Sequence, residues 1–131
     1  MIAAIQDVFY CASDMDRSVA FYRRLLGCEP RFASAYWAEF EVGGVAFGIH
    51  WSEGRPIVRS DPGGAWAGAT VSFRVEDIDR AAGALREWGV LVEGEIDRQP
   101  WGNRLIARDP DGNLVNLVTA PTTESRSVKQ P

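Results

Sequence analysis

The chain has 131 residues, 46% hydrophobic and 24% charged, with a net charge of −4. That is the size of one globular domain, long enough to bury a core without disulfide or metal staples. The acidic balance argues against an electrostatic hold on nucleic acid or anionic lipid, and no apolar run reaches bilayer-spanning length.

The N-terminus, Met1 to Asp7, has no basic cluster and no long apolar stretch, so no signal peptide is expected and the cytoplasm is the default. A first strand is predicted from Ile5 to Ala12. Asp14 then caps a helix with apolar residues at Met15, Val19, Tyr22 and Leu26, ending at Gly27. Three strands follow, roughly Glu29 to Ala33, Tyr36 to Val42 and Val45 to Trp51, with Gly43-Gly44 as a hairpin turn. Cys11 and Cys28 read as a reduced pair of small apolar side chains.

Ser52 to Gly68 is rich in Gly, Pro and Ser and reads as a linker. Trp66 within it either closes over a ligand or pins the linker. The pattern then repeats. A strand from Ala69 to Val75 alternates apolar Val71, Phe73 and Val75 with polar Thr70, Ser72 and Arg74. Asp77 caps a second helix with Ile78, Ala82, Leu85 and Trp88 at helical spacing, ending at Gly89. Strands Val90 to Ile96, Arg104 to Arg108 and Leu114 to Thr119 complete the set, with Asp109-Pro110-Asp111-Gly112 as the last turn. Asp14, Asp16 and Arg17 map onto Asp77, Asp79 and Arg80 at a constant offset of 63 residues, which marks an internal repeat. The expected organisation is α+β: residues 1–120 as one domain of two βαβββ modules (about 5–51 and 69–119), and a polar, disordered tail at 121–131.

The repeated βαβββ order, with Ser13-Asp14-Met15-Asp16-Arg17-Ser18-Val19-Ala20-Phe21-Tyr22, Leu25-Leu26-Gly27 and Arg108-Asp109-Pro110-Asp111-Gly112-Asn113, resembles the vicinal oxygen chelate superfamily, also called the glyoxalase/bleomycin resistance/dioxygenase fold. The resemblance implies two modules curling their sheets into a ligand-holding cup, with helices outside, in a homodimer that in some members exchanges modules.

Enzymes of that superfamily place a divalent metal at the cup floor, on His, Glu or Gln from four equivalent strand positions. By this resemblance the positions fall on Asp7 (or Gln6), Gly48, Thr70 and Asn116. Glycine offers no donor, and Thr and Asn are poor neutral ligands for zinc, iron or manganese. The single histidine, His50, lies two residues past Gly48 and shares its face. Asp7 with His50 makes two ligands, too few for firm binding, so no metal and no other cofactor is expected.

The resemblance then favours the metal-free branch, in which resistance proteins of the bleomycin type bind a drug without chemistry. Gln99-Pro100-Trp101-Gly102 is similar to a segment of those proteins whose tryptophan helps form the drug cleft. A flat aromatic ligand gains about 1 kcal/mol per stacked pair beyond area burial. Trp101 and Trp37, with Phe32, Tyr36 and Phe9, are the candidate walls and floor. Trp101 serves equally as a cover over the core, and Tyr36 and Phe32 equally as core or dimer packing. Asp7, Glu39, His50, Ser72, Arg74, Arg104 and Asn116 share the predicted concave parity and are the candidate polar contacts. Asp7 or Glu39 with Arg74 or Arg104 can instead be plain structural ion pairs.

The leading functional expectation is sequestration of a small aromatic molecule, such as an antibiotic or natural product. The alternatives are a metal-independent enzyme using Asp7, Glu39 or His50 as acid or base on a cyclic or polyketide-like substrate, and, behind it, a metal-dependent lyase or dioxygenase. Neither cysteine has a histidine nearby in sequence, and no phosphate-cradling glycine loop is present.

Overall fold

The computed structural model describes residues 1–61 and 67–119. The chain divides into two compact units, one ending at Arg59 and the other beginning at Ser60.

Unit one contains β1 (Val8–Ala12), α1 (Met15–Leu26), β2 (Phe32–Ala33), β3 (Trp37–Val42) and β4 (Val45–Trp51). Its sheet runs β1-β4-β3-β2, with β1 parallel to β4 and the other pairs antiparallel. Unit two contains β5 (Ser72–Arg74), α2 (Ile78–Glu87), β6 (Val92–Gln99), β7 (Gly102–Arg108) and β8 (Leu114–Val118). Its order, β5-β8-β7-β6, repeats the same topology, so each unit is a βαβββ module and the fold is α+β.

Both helices begin as their sequence dictates. The Asp14 carboxylate accepts from the Arg17 backbone N–H at 3.1 Å, and Asp77 accepts from that of Arg80 at 3.0 Å. The first helix ends at Gly27 and the second just before Gly89, both left-handed. Each lays one face on its own sheet. In α1 the buried residues are Met15, Ser18 and Tyr22, so a serine, not Val19, takes the central core position. The Tyr22 and Phe47 rings meet at 5.0 Å, with Phe40, Ile49 and Ala38 also buried. Burying each large side chain contributes about 1.5–3 kcal/mol. In unit two, Ile78, Ala82 and Leu85 of the helix are buried, as are Leu105, Ala107, Val115 and Leu117 of the sheet.

Several strands are shorter than periodicity predicts. β1 begins at Val8, so Asp7 precedes it; only Phe32 and Ala33 of the expected Glu29–Ala33 strand are paired; and β5 covers three residues of the expected Ala69–Val75. These are edge strands, where the partner on one side alone decides how far pairing extends. β6 and β7 instead extend further, to Gln99 and from Gly102, meeting in a hairpin whose turn holds Pro100 and Trp101. The β3–β4 turn has positive φ at both Gly43 and Gly44, the geometry that two-residue hairpins require. Cys11 and Cys28 are free thiols.

The Asp109 turn is tied from within. Asp109 is buried and accepts from the backbone N–H groups of Asp111 and Asn113, and from the Asn113 amide, all at 2.9 Å. Next to it, Arg108 donates to both oxygens of Glu93 and to the carbonyls of Ser60 and Gly112. Removing the Asp109 carboxylate strands several buried donors, whereas removing a cap strands one exposed N–H. Asp77→Ala is expected to cost about 1 kcal/mol and Asp109→Ala about 3 kcal/mol, an ordering that urea titration of the two variants checks directly.

Candidate functional site

In unit one the strand alternation sorts the side chains cleanly. Ala38 and Phe40 of β3 and Phe47 and Ile49 of β4 face the helix and are buried. Trp37 and Glu39 of β3, Gly48 and His50 of β4 and Phe9 of β1 have the opposite parity. The register sets Trp37 across from His50, Glu39 across from Gly48, and Phe9 beside Gly48.

Three rings gather there. Phe9 and Trp37 meet edge-on at 5.5 Å, Phe9 and His50 at 5.7 Å, and Trp37 and His50 at 6.2 Å. Their centre is Gly48. The Trp37 indole reaches diagonally from its position opposite His50 and lies where a Gly48 side chain would be. Its Cη2 and Cζ2 are the nearest atoms to the Cβ such a side chain would have, and Cζ3 is 2.9 Å away. A diagonal cross-strand neighbour is within reach of an aromatic side chain, and only glycine leaves the space for this one. Phe9 remains 50% exposed, so the cluster presents an open aromatic surface.

The polar groups on this face are held. His50 Nδ1 lies 2.5 Å from the Trp51 carbonyl oxygen, which makes Nδ1 the protonated nitrogen and leaves the lone pair on Nε2. Glu39 is clamped by Arg31, with Nε and the second guanidinium nitrogen each 2.7 Å from Oε2. Asp7 is half-buried and makes no ion pair or hydrogen bond among the described residues.

Phe32 lies opposite Glu39 at the sheet edge and is exposed. Tyr36 is not part of the Phe9–Trp37–His50 group. Its ring meets Trp51 at 5.8 Å, and its carbonyl accepts from the Trp51 N–H. Tyr36 precedes β3 in a turn organised by the Ser34 hydroxyl, and there the period-two rule no longer sets side-chain direction.

Unit two presents a different surface. Ser72 and Arg74 of β5, Asn116 and Val118 of β8, and Arg104 and Ile106 of β7 share the face opposite the buried Leu105, Ala107, Val115 and Leu117. One ladder row reads Ser72, Asn116, Ile106; the next reads Arg74, Val118, Arg104. The Asn116 amide donates to the Ser72 hydroxyl at 2.8 Å, while its carbonyl oxygen is closed off and without a partner among the described residues. Trp101 sits half-buried in the β6–β7 turn, off the strand ladder. Trp66 lies outside the described residues.

A divalent ion of the kind this fold carries in its enzymes does not fit these residues. Gly48 has no donor, and the Trp37 ring fills its space. Asn116 is committed to Ser72, and Thr70 precedes β5. Among the described residues no group of three or more His, Cys, Asp or Glu is placed to hold a metal ion.

Sequence reasoning missed two features here. The pairing of Glu39 with Arg31 was readable, since the two flank a predicted hairpin. The seat for Trp37 had one signal, an isolated glycine inside the strong strand Val45–Trp51, which marks a close approach.

Comparison with known proteins agrees with this architecture. The model of the glyoxalase/bleomycin resistance protein/dioxygenase superfamily matches residues 4–117. A phenazine antibiotic resistance protein, EhpR of Enterobacter agglomerans, is 27% identical over 111 residues, covering 80% of this chain and 83% of that protein. Among solved structures, the fosfomycin resistance protein FosX of Listeria monocytogenes superposes with a TM-score of 0.77 at 20% identity, covering 98% of this chain and 100% of that one. A lactoylglutathione lyase of Agrobacterium tumefaciens gives 0.68 at 23% identity, covering 91% and 95%. With a family match across nearly all of its described length and two βαβββ units of identical strand order, the chain belongs to the glyoxalase/bleomycin resistance protein/dioxygenase superfamily.

Proposed function

We propose that this protein binds and sequesters a flat aromatic small molecule of the antibiotic or natural-product type, without metal and without turnover. The observation that carries the reading is the Trp37 indole seated over Gly48, flanked by Phe9 and His50. A metal-dependent enzyme, by the resemblance, would carry a ligand donor at that strand position. Here an apolar ring occupies it and presents a stacking surface instead. The relative named for phenazine antibiotic resistance supports the same direction, since a phenazine is a planar heteroaromatic. The chain is metal-free in this reading, and closest to the drug-binding branch of the superfamily.

Phe9, Trp37 and His50 form the stacking surface, with Phe32 at its margin and Glu39 fixed by Arg31 as a polar border. Unit two has its own row of candidate polar contacts, Ser72, Arg104 and Asn116, with Trp101 in the nearby β6–β7 turn, and Asp7 is a further candidate contact of unit one. Tyr36, paired with Trp51, supports the β3 entry and the surface between copies. The protein works as a cytoplasmic homodimer, with exposed Phe32, Tyr36 and Val45 as apolar surface for a second copy. No described helix is long and apolar enough to cross a membrane.

One observation favours a second reading. His50 has Nδ1 fixed on a backbone carbonyl and Nε2 left as an acceptor, the arrangement of a general base. Metal-independent proton transfer at His50 would then act on the stacked ligand. The two readings separate on mass balance. Sequestration predicts that a bound phenazine is recovered chemically unchanged after prolonged incubation; an altered product that His50→Gln abolishes would replace it with the catalytic reading.

The binding test is calorimetric titration with a planar phenazine, alongside native mass spectrometry for subunit count and metal. Saturable binding that is unaffected by chelator is expected. Trp37→Ala removes the stacking wall, and Gly48→Ala displaces it, because the added methyl occupies the indole's place. Each is expected to weaken binding at least about tenfold. Trp51→Phe, on the other side of the sheet, should leave affinity within about twofold. Equal losses in all three variants would refute the assignment of the site to the Trp37 face.

Asn116 supplies a further check. Its buried carbonyl oxygen lacks a partner among the described residues, which costs about 1–3 kcal/mol. Asn116→Leu is therefore expected to hold or raise the thermal midpoint while weakening ligand binding. A marked fall in thermal midpoint would make Asn116 a purely structural residue.

A further inference from the structure

We propose that the open sheet face of unit two by itself takes an aromatic carboxylate, with Arg74 and Arg104 receiving the carboxylate group; this rests on the aromatic-binding reading above. The two arginines occupy one row of the unit-two sheet, on β5 and β7, with Val118 of β8 between them. Strand spacing puts their Cα atoms about 10 Å apart, close enough for two long side chains to converge on one group. Both are exposed, and neither guanidinium has an ion pair or hydrogen bond among the described residues.

Other arginines of the chain are paired. The chain has a net charge of −4, and its carboxylates engage many of its other arginines. Arg23 pairs with Glu29, Arg31 with Glu39, Arg86 with Glu95, Arg98 with Asp79 and Arg108 with Glu93. Arg108 even shares the parity of Arg104 on the same strand, and it is fully committed to Glu93 and two carbonyls. Two like charges are thus left side by side on a sheet face where neighbouring arginines are neutralised.

The chemistry of the row narrows the guest. The guanidinium is a planar fork that matches a carboxylate in two parallel hydrogen bonds. Val118 between the forks, and Ile106 in the adjoining row, give apolar ground for a flat ring lying along the sheet. Ser72 and Asn116 complete the adjoining row with a hydroxyl and an amide. Cation, apolar strip, cation describes a surface for a planar aromatic acid better than for a neutral ring, whose binding would leave both charges uncompensated.

The experiment compares phenazine-1-carboxylate with its neutral carboxamide by calorimetric titration against the full chain, Arg74→Gln, Arg104→Gln and the double variant. The unmodified protein is expected to bind the acid at least about tenfold more tightly than the amide. Each single variant should lose about tenfold for the acid and markedly less for the amide, and raising the salt should weaken the acid more than the amide. Both side chains are exposed, so circular dichroism and thermal midpoints of the variants should match the parent. Equal affinity of the parent for acid and amide, or variants that weaken both probes alike or neither, would overturn the carboxylate assignment and leave the aromatic reading standing. Failure of both probes to bind the parent would instead bring down the binding reading and this proposal with it.

Discussion

A single close contact organises unit one: the six-membered ring of the Trp37 indole occupies the space over the Gly48 backbone. It depends on two facts at once. The antiparallel register places Gly48 diagonally next to Trp37, and glycine alone leaves room for six-membered-ring carbons at that height. Once the ring is there, its edge meets Phe9 from the parallel neighbour β1 and His50 from directly across. The His50 ring is in turn held by a backbone carbonyl, so the cluster is fixed from several sides. A side chain at position 48 and an indole in this position are mutually exclusive. The chain has the indole, so position 48 offers no side-chain donor.

The two units share a topology and differ in what they show. Both strand orders, both Asp-capped helices and both helix-facing cores repeat, because burial of a helix on a four-stranded sheet constrains them equally. The outward rows are free of that constraint. In unit one they carry rings around a glycine; in unit two they carry Ser72, Asn116 and two arginines astride Val118. A duplicated scaffold whose buried faces persist while its open faces diverge is what a binding function on those open faces would produce.

Much of this was legible in the sequence, and the reasons are specific. Asp14 and Asp77 announce their helices because an uncapped N-terminus leaves orphan N–H groups, and Val45–Trp51 was delimited to the residue because it is a central strand paired on both sides. The parity of Glu39, His50, Ser72, Arg104 and Asn116 followed from period two alone. What failed was decided by partners that no local pattern names. Edge strands β1, β2 and β5 begin later than periodicity suggests, although their single neighbours β4, β3 and β8 run on beyond the paired residues. Tyr36 turned to Trp51 because a Ser34-centred turn, not a ladder, sets its direction. Glu39 pairs with Arg31, which sits just before β2.

Resemblance in fold to a fosfomycin resistance protein and to a lactoylglutathione lyase leaves the chemistry open, since one scaffold carries both catalysis and mere binding. The distinction lies in the donors. Catalysis through a Lewis acid requires several convergent charged or imidazole ligands, and its energy comes from charge developing in a transition state. Stacking stabilises a ligand whether or not it reacts, by area and quadrupole, and tolerates variation in ring substituents. A protein relying on stacking gains discrimination only from the few polar groups around the rings. On the two open faces those groups are unequal: in unit one Glu39 is neutralised by Arg31 and in unit two Arg108 by Glu93, whereas Arg74 and Arg104 of unit two have no ion pair among the described residues.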